Sequence, residues 1–491
     1  MLTEDTLTQI VKANDIRGLV GEQLDDRVVQ ALGASFAALV GDEADQVVVG
    51  HDMRDSSPAL VAAFARGVAE AGLDVVLIGL CSTDALYYAS GALDCPGAMF
   101  TASHNPAAWN GIKLCRSAAR PVGLDTGLAE VRDTARTLLD DPRWPEGAAV
   151  AADASGVIRE ADVLAGYAAH LRSLVDLSGI RPLTVVVDAG NGMAGLTTPA
   201  VLGEAAGLPG LPVEIVPLYF ELDGTFPNHE ANPLDPENLR DLIAAVPARG
   251  ADLGLAFDGD ADRCFVVDER GEPVSPSAIT ALVASREIAK ERAAGRVPTV
   301  IHNLITSRVV PEVILEAGGK PVRTRVGHAF IKAEMSSADA VFGGEHSAHY
   351  YFRDFWFADT GMLAALHVLA AVGEQDRPLS HLAGRFERYA GSGEINSRVD
   401  DVSAATAAVE AAFAGRPDLE TDRLDGLTVA TTGDGGEMWW FNLRPSNTEP
   451  LLRLNAEASD RATMERIRDQ VLGIVRGGAS RPATTGSDAR G

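Results

Sequence analysis

At 491 residues, with 46% hydrophobic and 23% charged residues, the chain is too long for one core and has the composition of a globular protein divided into several domains. A formal net charge of −27 argues against a nucleic-acid partner, which needs a basic face. It leaves room for a small anion held in a local pocket of Arg, Lys, Ser and Thr.

The four cysteines, Cys81, Cys95, Cys115 and Cys264, show no Cys-x-x-Cys spacing and read as reduced, buried thiols. The acidic start Met1-Leu2-Thr3-Glu4-Asp5 lacks the layout of a signal peptide, and no apolar run approaches the ~20 residues that cross a bilayer. The expectation is a cytoplasmic protein with no membrane partner.

In chain order, Asn14-Asp15-Ile16-Arg17-Gly18 places a cation on an early loop. Gln46-Val47-Val48-Val49-Gly50-His51-Asp52 is an apolar run with a polar end, followed by a helical stretch at 58–71 and a strand at 74–79. Leu183–Asp188 and Thr299–Asn303 open two more such units, with second strands at 213–216 and 321–324. These units predict right-handed crossovers, mainly parallel or mixed sheets, and ligands at the strand ends. After about residue 373 the pattern changes. Ala-rich helical segments at 404–415 and 460–475 flank a β-like middle: 427–430, a Gly433-Asp434-Gly435-Gly436 turn and the aromatic run 438–443. The fold class is therefore α/β. Three related mixed-sheet domains are expected at 1–155, 156–268 and 269–380, then a smaller α+β domain at 381–476 and a disordered tail at 477–491.

Five stretches carry chemistry. Thr101-Ala102-Ser103-His104-Asn105-Pro106 sets a hydroxyl on a loop after a strand, ahead of a polar turn at Asn110-Gly111-Ile112-Lys113. The proline keeps Asn105 out of helix, and Ser103 lies in no Gly-x-Ser-x-Gly elbow. In Asp258-Gly259-Asp260-Ala261-Asp262-Arg263 three like charges repel unless a cation joins them, and hard oxygen ligands suit Mg²⁺. An EF-hand would place Gly where Arg263 stands and helices where strands are expected, and is rejected. A phosphatase using Asp258 as nucleophile stays open. Gly344-Glu345-His346-Ser347-Ala348-His349-Tyr350 suits vicinal sugar hydroxyls. Arg444-Pro445-Ser446-Asn447-Thr448 makes a phosphate cradle. Arg17, Arg325 and His328 add positive or titratable groups on loops. Gly190-Asn191-Gly192-Met193-Ala194-Gly195 matches a dinucleotide fingerprint, but Asp188 would face the pyrophosphate, so it reads as a tight strand-to-helix turn.

Together the Asp15-Ile16-Arg17-Gly18, Thr101 to Pro106, Asp258 to Arg263, Gly344 to Ser347 and Arg444 to Thr448 motifs resemble the α-D-phosphohexomutase family, nearest its bacterial phosphomannomutase/phosphoglucomutase members. The resemblance implies four domains around a central cleft. Ser103 would be the phosphoserine and, with Asp258, Asp260 and Asp262, would hold one Mg²⁺. Glu345 and Ser347 would grip sugar hydroxyls, and Arg444, Ser446, Asn447 and Thr448 the non-reacting phosphate. Lys113 and His349 match proton-handling positions, with His104 beside the nucleophile and Arg17, Arg263 and His328 on the substrate. Asn14 stands where members often carry Tyr, and Ala348 where Gly is common.

On this reading a hexose 1-phosphate and its 6-phosphate, mannose first and glucose second, interconvert through a hexose 1,6-bisphosphate that also activates the enzyme and supplies nucleotide-sugar synthesis. A phosphoserine with three aspartates and one Mg²⁺ leaves the site about three charges negative, which Lys113 and Arg263 are placed to offset. The partners expected are hexose phosphates alone, with the chain a monomer or homodimer. A glucosamine-phosphate mutase and a non-catalytic sugar-phosphate binder remain as alternatives.

Overall fold

A computed structural model of the chain describes residues 4–144, 156–432, 437–446 and 451–477. Among these residues the strands form four sheets. In the first, Gln46–His51 lies parallel to Asp74–Leu80 and Gly97–Phe100, and Trp109–Arg116 runs antiparallel between Gly97–Phe100 and Ile16–Leu19. The second places Leu183–Asp188 between parallel Val213–Leu218 and Leu253–Phe257, and Cys264–Asp268 turns back antiparallel. The third centres on Thr299–Asn303, parallel to Lys320–Thr324 and Phe342–Gly344. The fourth, built from Ala390–Arg398, Leu451–Ala458, Trp439–Pro445, Leu427–Thr431 and Leu419–Asp422, is wholly antiparallel.

The composition of the strands explains the difference. Val47, Val48 and Val49, like Val185, Val186 and Val187, are buried without alternation, as central strands covered on both faces by helices must be. The fourth sheet is covered by Val402–Phe413 and by Arg461–Gly477, whose Met464, Ile467, Val471 and Val475 recur at helical spacing and are buried. One continuous core joins Val48, Cys81 and Met99 to Val186, Leu255, Phe342 and Leu366 across the first three sheets, whereas the fourth keeps its own core around Phe413, Phe441, Leu454 and Val471. Asp84, in the helix Thr83–Leu93, accepts hydrogen bonds from Tyr167 Oη at 2.7 Å and Thr360 Oγ1 at 2.6 Å, pinning all three α/β units at one point.

All four cysteines are buried and free. Gly190 and Asn191 take positive φ of 51° and 59° before the helix Ala194–Val201, and Asp188 faces His229 at 3.1 Å, so this stretch is a turn. Three expectations are corrected. Asn110 to Lys113 lies within the strand Trp109–Arg116; the Asn-Gly turn signal loses because Ile112 pairs with Ile16 on one side and Phe100 on the other. Arg17 sits on a strand, and His328 opens the helix His328–Ala338. Arg444 and Pro445 end the strand Trp439–Pro445 rather than starting a loop. The Gly433 to Gly436 turn and the tail beyond residue 477 lie outside the described residues.

Candidate active site

The strand Gly97–Phe100 delivers the serine loop. Thr101 N donates to Gly111 O at 3.0 Å, and Ser103 N donates to Thr101 Oγ1 at 2.9 Å. Ser103 itself is left-handed, φ +50°, which costs a non-glycine residue about 1–2 kcal/mol and is seen where surrounding structure enforces it. The result is a buried hydroxyl that donates to Asp258 Oδ2 at 2.9 Å, with His104 Nδ1 at 3.2 Å.

Asp258, Asp260 and Asp262 sit between two wholly buried strands, and one carboxylate oxygen of each falls within 4.8 Å of the others. Gly259 is required between them, because a Cβ there would lie 2.5 Å from Ser103 O. From the first unit, Thr83 N and Thr83 Oγ1 donate to Asp260 O and Oδ2 at 3.0 and 2.7 Å. Two cations answer the acids. Lys113 Nζ lies 2.6 Å from both Asp260 Oδ2 and Asp262 Oδ2, and Arg263 Nε donates to Asp258 Oδ2 at 2.9 Å.

The electrostatic consequences follow from burial set against these neighbours. Burial, the largest influence, pushes Asp258 up to about 8 despite Arg263. At Asp262 burial is outweighed by Lys113 and His349, which hold it at about 2. Lys113 resists its own burial because Asp260 and Asp262 keep it well above the usual lysine range. Asp260 Oδ1 and Asp262 Oδ1 are buried with no hydrogen-bond partner among the described residues. Orphaned carboxylate oxygens in such a cluster are costly, and the donor set fits a hard divalent cation.

The third unit contributes Glu345 to His349, between Phe342–Gly344 and Tyr350–Phe352. His349 bridges to Arg263 by backbone pairing, and its ring lies 3.7 Å from Asp262, 3.7 Å from Glu345 and 4.0 Å from Asp359. Ser347 Oγ lies 3.1 Å from His349 Nδ1. The Glu345 carboxylate is already engaged by Asn303 Nδ2, Gly327 N and Tyr351 Oη. Ala348 has φ +66°.

Arg17, Ser103, His104, Lys113, Arg263, His328 and His349 line one cavity of about 140 Å³, together with Asp15, Tyr87, Asp262 and Asp359. Burial, then Arg263 and Arg17, push His104 down to about 3, so it accepts from Arg263 Nη2 at 2.8 Å as a neutral ring. Burial and Lys332 push His328 down to about 4. Arg17 donates to Asp15 Oδ2 at 2.8 Å and Asn105 Oδ1 at 2.5 Å. Thr83 and Asp359, which border the carboxylates, escaped sequence reading, since neither stands in a dense polar motif.

Arg444 and Ser446 do not line this cavity. Arg444 donates to Glu394 Oε2 at 3.1 Å through one terminal nitrogen, and its buried Nη1 has no hydrogen-bond partner among the described residues. Ser446 N donates to Leu451 O at 2.8 Å. Asn447 and Thr448 lie outside the described residues.

Comparison with known proteins gives matches along nearly the whole chain. Family models for phosphoglucomutase/phosphomannomutase α/β/α domains I, II and III match residues 8–137, 165–271 and 275–389, and the C-terminal domain matches 394–474. The chain is 41% identical over 469 residues to a Xanthomonas campestris protein named phosphohexose mutases, covering 95% of this chain and 99% of that one. It is 40% identical over 463 residues to the Salmonella typhimurium phosphomannomutase, covering 94% and 97%. A crystal structure of a Burkholderia thailandensis phosphoglucomutase/phosphomannomutase family protein superposes with TM-score 0.81 at 30% identity, covering 97% of this chain and 99% of that one.

Proposed function

The chain belongs to the phosphoglucomutase/phosphomannomutase family of hexose-phosphate mutases, and from that premise we propose its substrates and the role of each site residue. Mannose phosphates are the preferred pair and glucose phosphates a second, feeding nucleotide-sugar synthesis. The observation that carries the reading is a buried, left-handed serine whose hydroxyl meets one of three clustered aspartates at 2.9 Å, beside two cations. Phosphoryl transfer asks for this kind of positioning and charge neutralisation more than for new bonds to protein.

Phospho-Ser103 transfers its phosphoryl group to the free hydroxyl of a bound hexose phosphate. The P–O bond to Ser103 breaks, a P–O bond to the sugar forms, His349 takes the hydroxyl proton, and Lys113 returns one to Ser103 Oγ. The hexose 1,6-bisphosphate turns over within the site and gives its other phosphate back to Ser103; trace bisphosphate primes an unphosphorylated enzyme. Ser103, Asp258, Asp260 and Asp262 would hold one Mg²⁺, which supplies neutralisation of the developing phosphoryl charge. Arg263, oriented by neutral His104, and Arg17 face the moving phosphate. His328, Glu345 and Ser347 address the sugar, and Arg444, Ser446, Asn447 and Thr448 the resting phosphate. Among the described residues no helix is long and apolar enough to cross a membrane. The same reading makes the protein cytoplasmic, a monomer or homodimer without a nucleic-acid partner, divided at 1–155, 156–268, 269–380 and 381–476.

A phosphatase working through Asp258 is disfavoured because the relatives to which the chain is similar are named as mutases. The deciding assay offers mannose 1-phosphate and glucose 1-phosphate separately, with Mg²⁺ and trace hexose 1,6-bisphosphate. The 6-phosphates are the products expected; release of inorganic phosphate instead would refute the mutase assignment.

A further inference from the structure

Arg54 is 2% exposed and uses all five of its guanidinium donors. Nε donates to Asp52 Oδ2 at 3.1 Å. The remaining four bonds go to main-chain carbonyls of the serine loop and of the first residue of the strand that follows it. Nη2 donates to Ser103 O at 2.8 Å and Asn105 O at 2.7 Å, and Nη1 to Pro106 O and Trp109 O, both at 3.0 Å.

Four carbonyl dipoles aimed at one point repel one another unless a cation sits there, and only a planar fork reaches all four at once. The group is itself clamped. Asp52 Oδ1 accepts from Arg54 N at 3.1 Å and Ser57 Oγ at 2.8 Å, and the Phe226 ring of the second unit stacks 5.3 Å from the guanidinium carbon. A Cβ at Gly224 would come within 2.8 Å of Arg54 Cα, so the two segments meet without slack.

The carbonyl that Arg54 holds most closely to the reaction belongs to Ser103, the residue in the left-handed conformation. Arg54 does not line the cavity. Resting on the reading that Ser103 carries the phosphoryl group, we infer that Arg54 is a positioning residue for transfer: by fixing the Ser103 carbonyl and three others that follow it, it sets the direction of the Ser103 hydroxyl without touching substrate. A neighbouring unit braces this setting through Phe226.

The test compares Arg54→Lys with wild type and Ser103→Ala, following thermal stability, kcat and KM for mannose 1-phosphate, and the rate at which hexose 1,6-bisphosphate phosphorylates Ser103. A lysine supplies a point charge but not the fork. The folded variant is expected to lose about a hundredfold in kcat and in phosphorylation rate, since small displacements of a reacting group cost that much. Its KM should stay within about threefold, because sugar and resting-phosphate contacts are untouched. Wild-type kcat per folded molecule, or a rise in KM with kcat preserved, would overturn the inference. Should Arg54→Lys fail to fold, the isosteric Asp52→Asn decides. A fall of about tenfold in kcat at constant KM supports the positioning role, and unchanged kcat removes it. Full turnover by Ser103→Ala would bring down the serine reading and this inference together; an inactive Ser103→Ala beside a fully active Arg54→Lys would bring down this inference alone.

Discussion

At the Ser103 end of the site, three α/β units share one core and exchange hydrogen bonds across every junction: Ser103 to Asp258, Thr83 to Asp260, Thr360 and Tyr167 to Asp84, and Arg181 N to Gly373 O. At the Arg444 end, an antiparallel unit with its own core meets the third unit through scattered polar contacts such as Arg308 N to Glu457, Val326 N to Asp425 and Arg323 to Asp422. On the reading proposed above, bonds are made and broken at the interlocked end, and the residues assigned to the resting phosphate stand on the unit with its own core. A ligand that must present first one phosphate and then the other needs this division of labour.

The largest effect is expected at the rigid end. Ser103→Ala should cost at least about 10⁴-fold in kcat while leaving thermal stability near wild type, measured by coupled assay and calorimetry. At the other end the variant Arg444→Ala should act on binding. Loss of a charge-assisted pair should raise KM about 10- to 100-fold with a much smaller change in kcat. A comparable collapse of kcat would erase the contrast between the two ends.

Acid should separate them too. Burial pushes His302 down to about 4, and burial with Arg286 pushes His367 down to about 3. Both histidines, folded neutral and below the ordinary value, leave the unfolded chain binding more protons as pH falls through about 6.5, so stability drops from there downward. His302 and His367 both lie within 269–380, so this loss falls on the third unit. Melting temperature should decline from pH 7 to pH 4.5, and His367→Gln should flatten that decline. The smallest effect is expected at Ala348. Glycine relieves a left-handed alanine by about 1 kcal/mol but gives back nearly as much in chain entropy, so Ala348→Gly should leave kcat and melting temperature almost unchanged.

Legibility in the sequence followed the same divide. Leu183–Asp188 and Thr299–Asn303 were readable to the residue because uninterrupted apolar runs admit few alternatives. The serine and aspartate loops were readable because their chemistry is dense and local. Asn110 to Lys113 misled, since a strand paired on both edges overrides a turn signal. Arg54 was invisible because its partners are carbonyls 49 to 55 residues away, which carry no side-chain signature. The cradle proposed for the resting phosphate rests on composition only: Arg444 lies in a strand, and Asn447 and Thr448 stand outside the described residues.

The central claim is covalent, and mass spectrometry addresses it without a coupled enzyme. Protein incubated with Mg²⁺ and hexose 1,6-bisphosphate, digested and mapped, should carry one phosphoryl group on the peptide containing Ser103, lost again on adding hexose monophosphate. An unmodified Ser103 peptide from protein that still interconverts the sugar phosphates would contradict it.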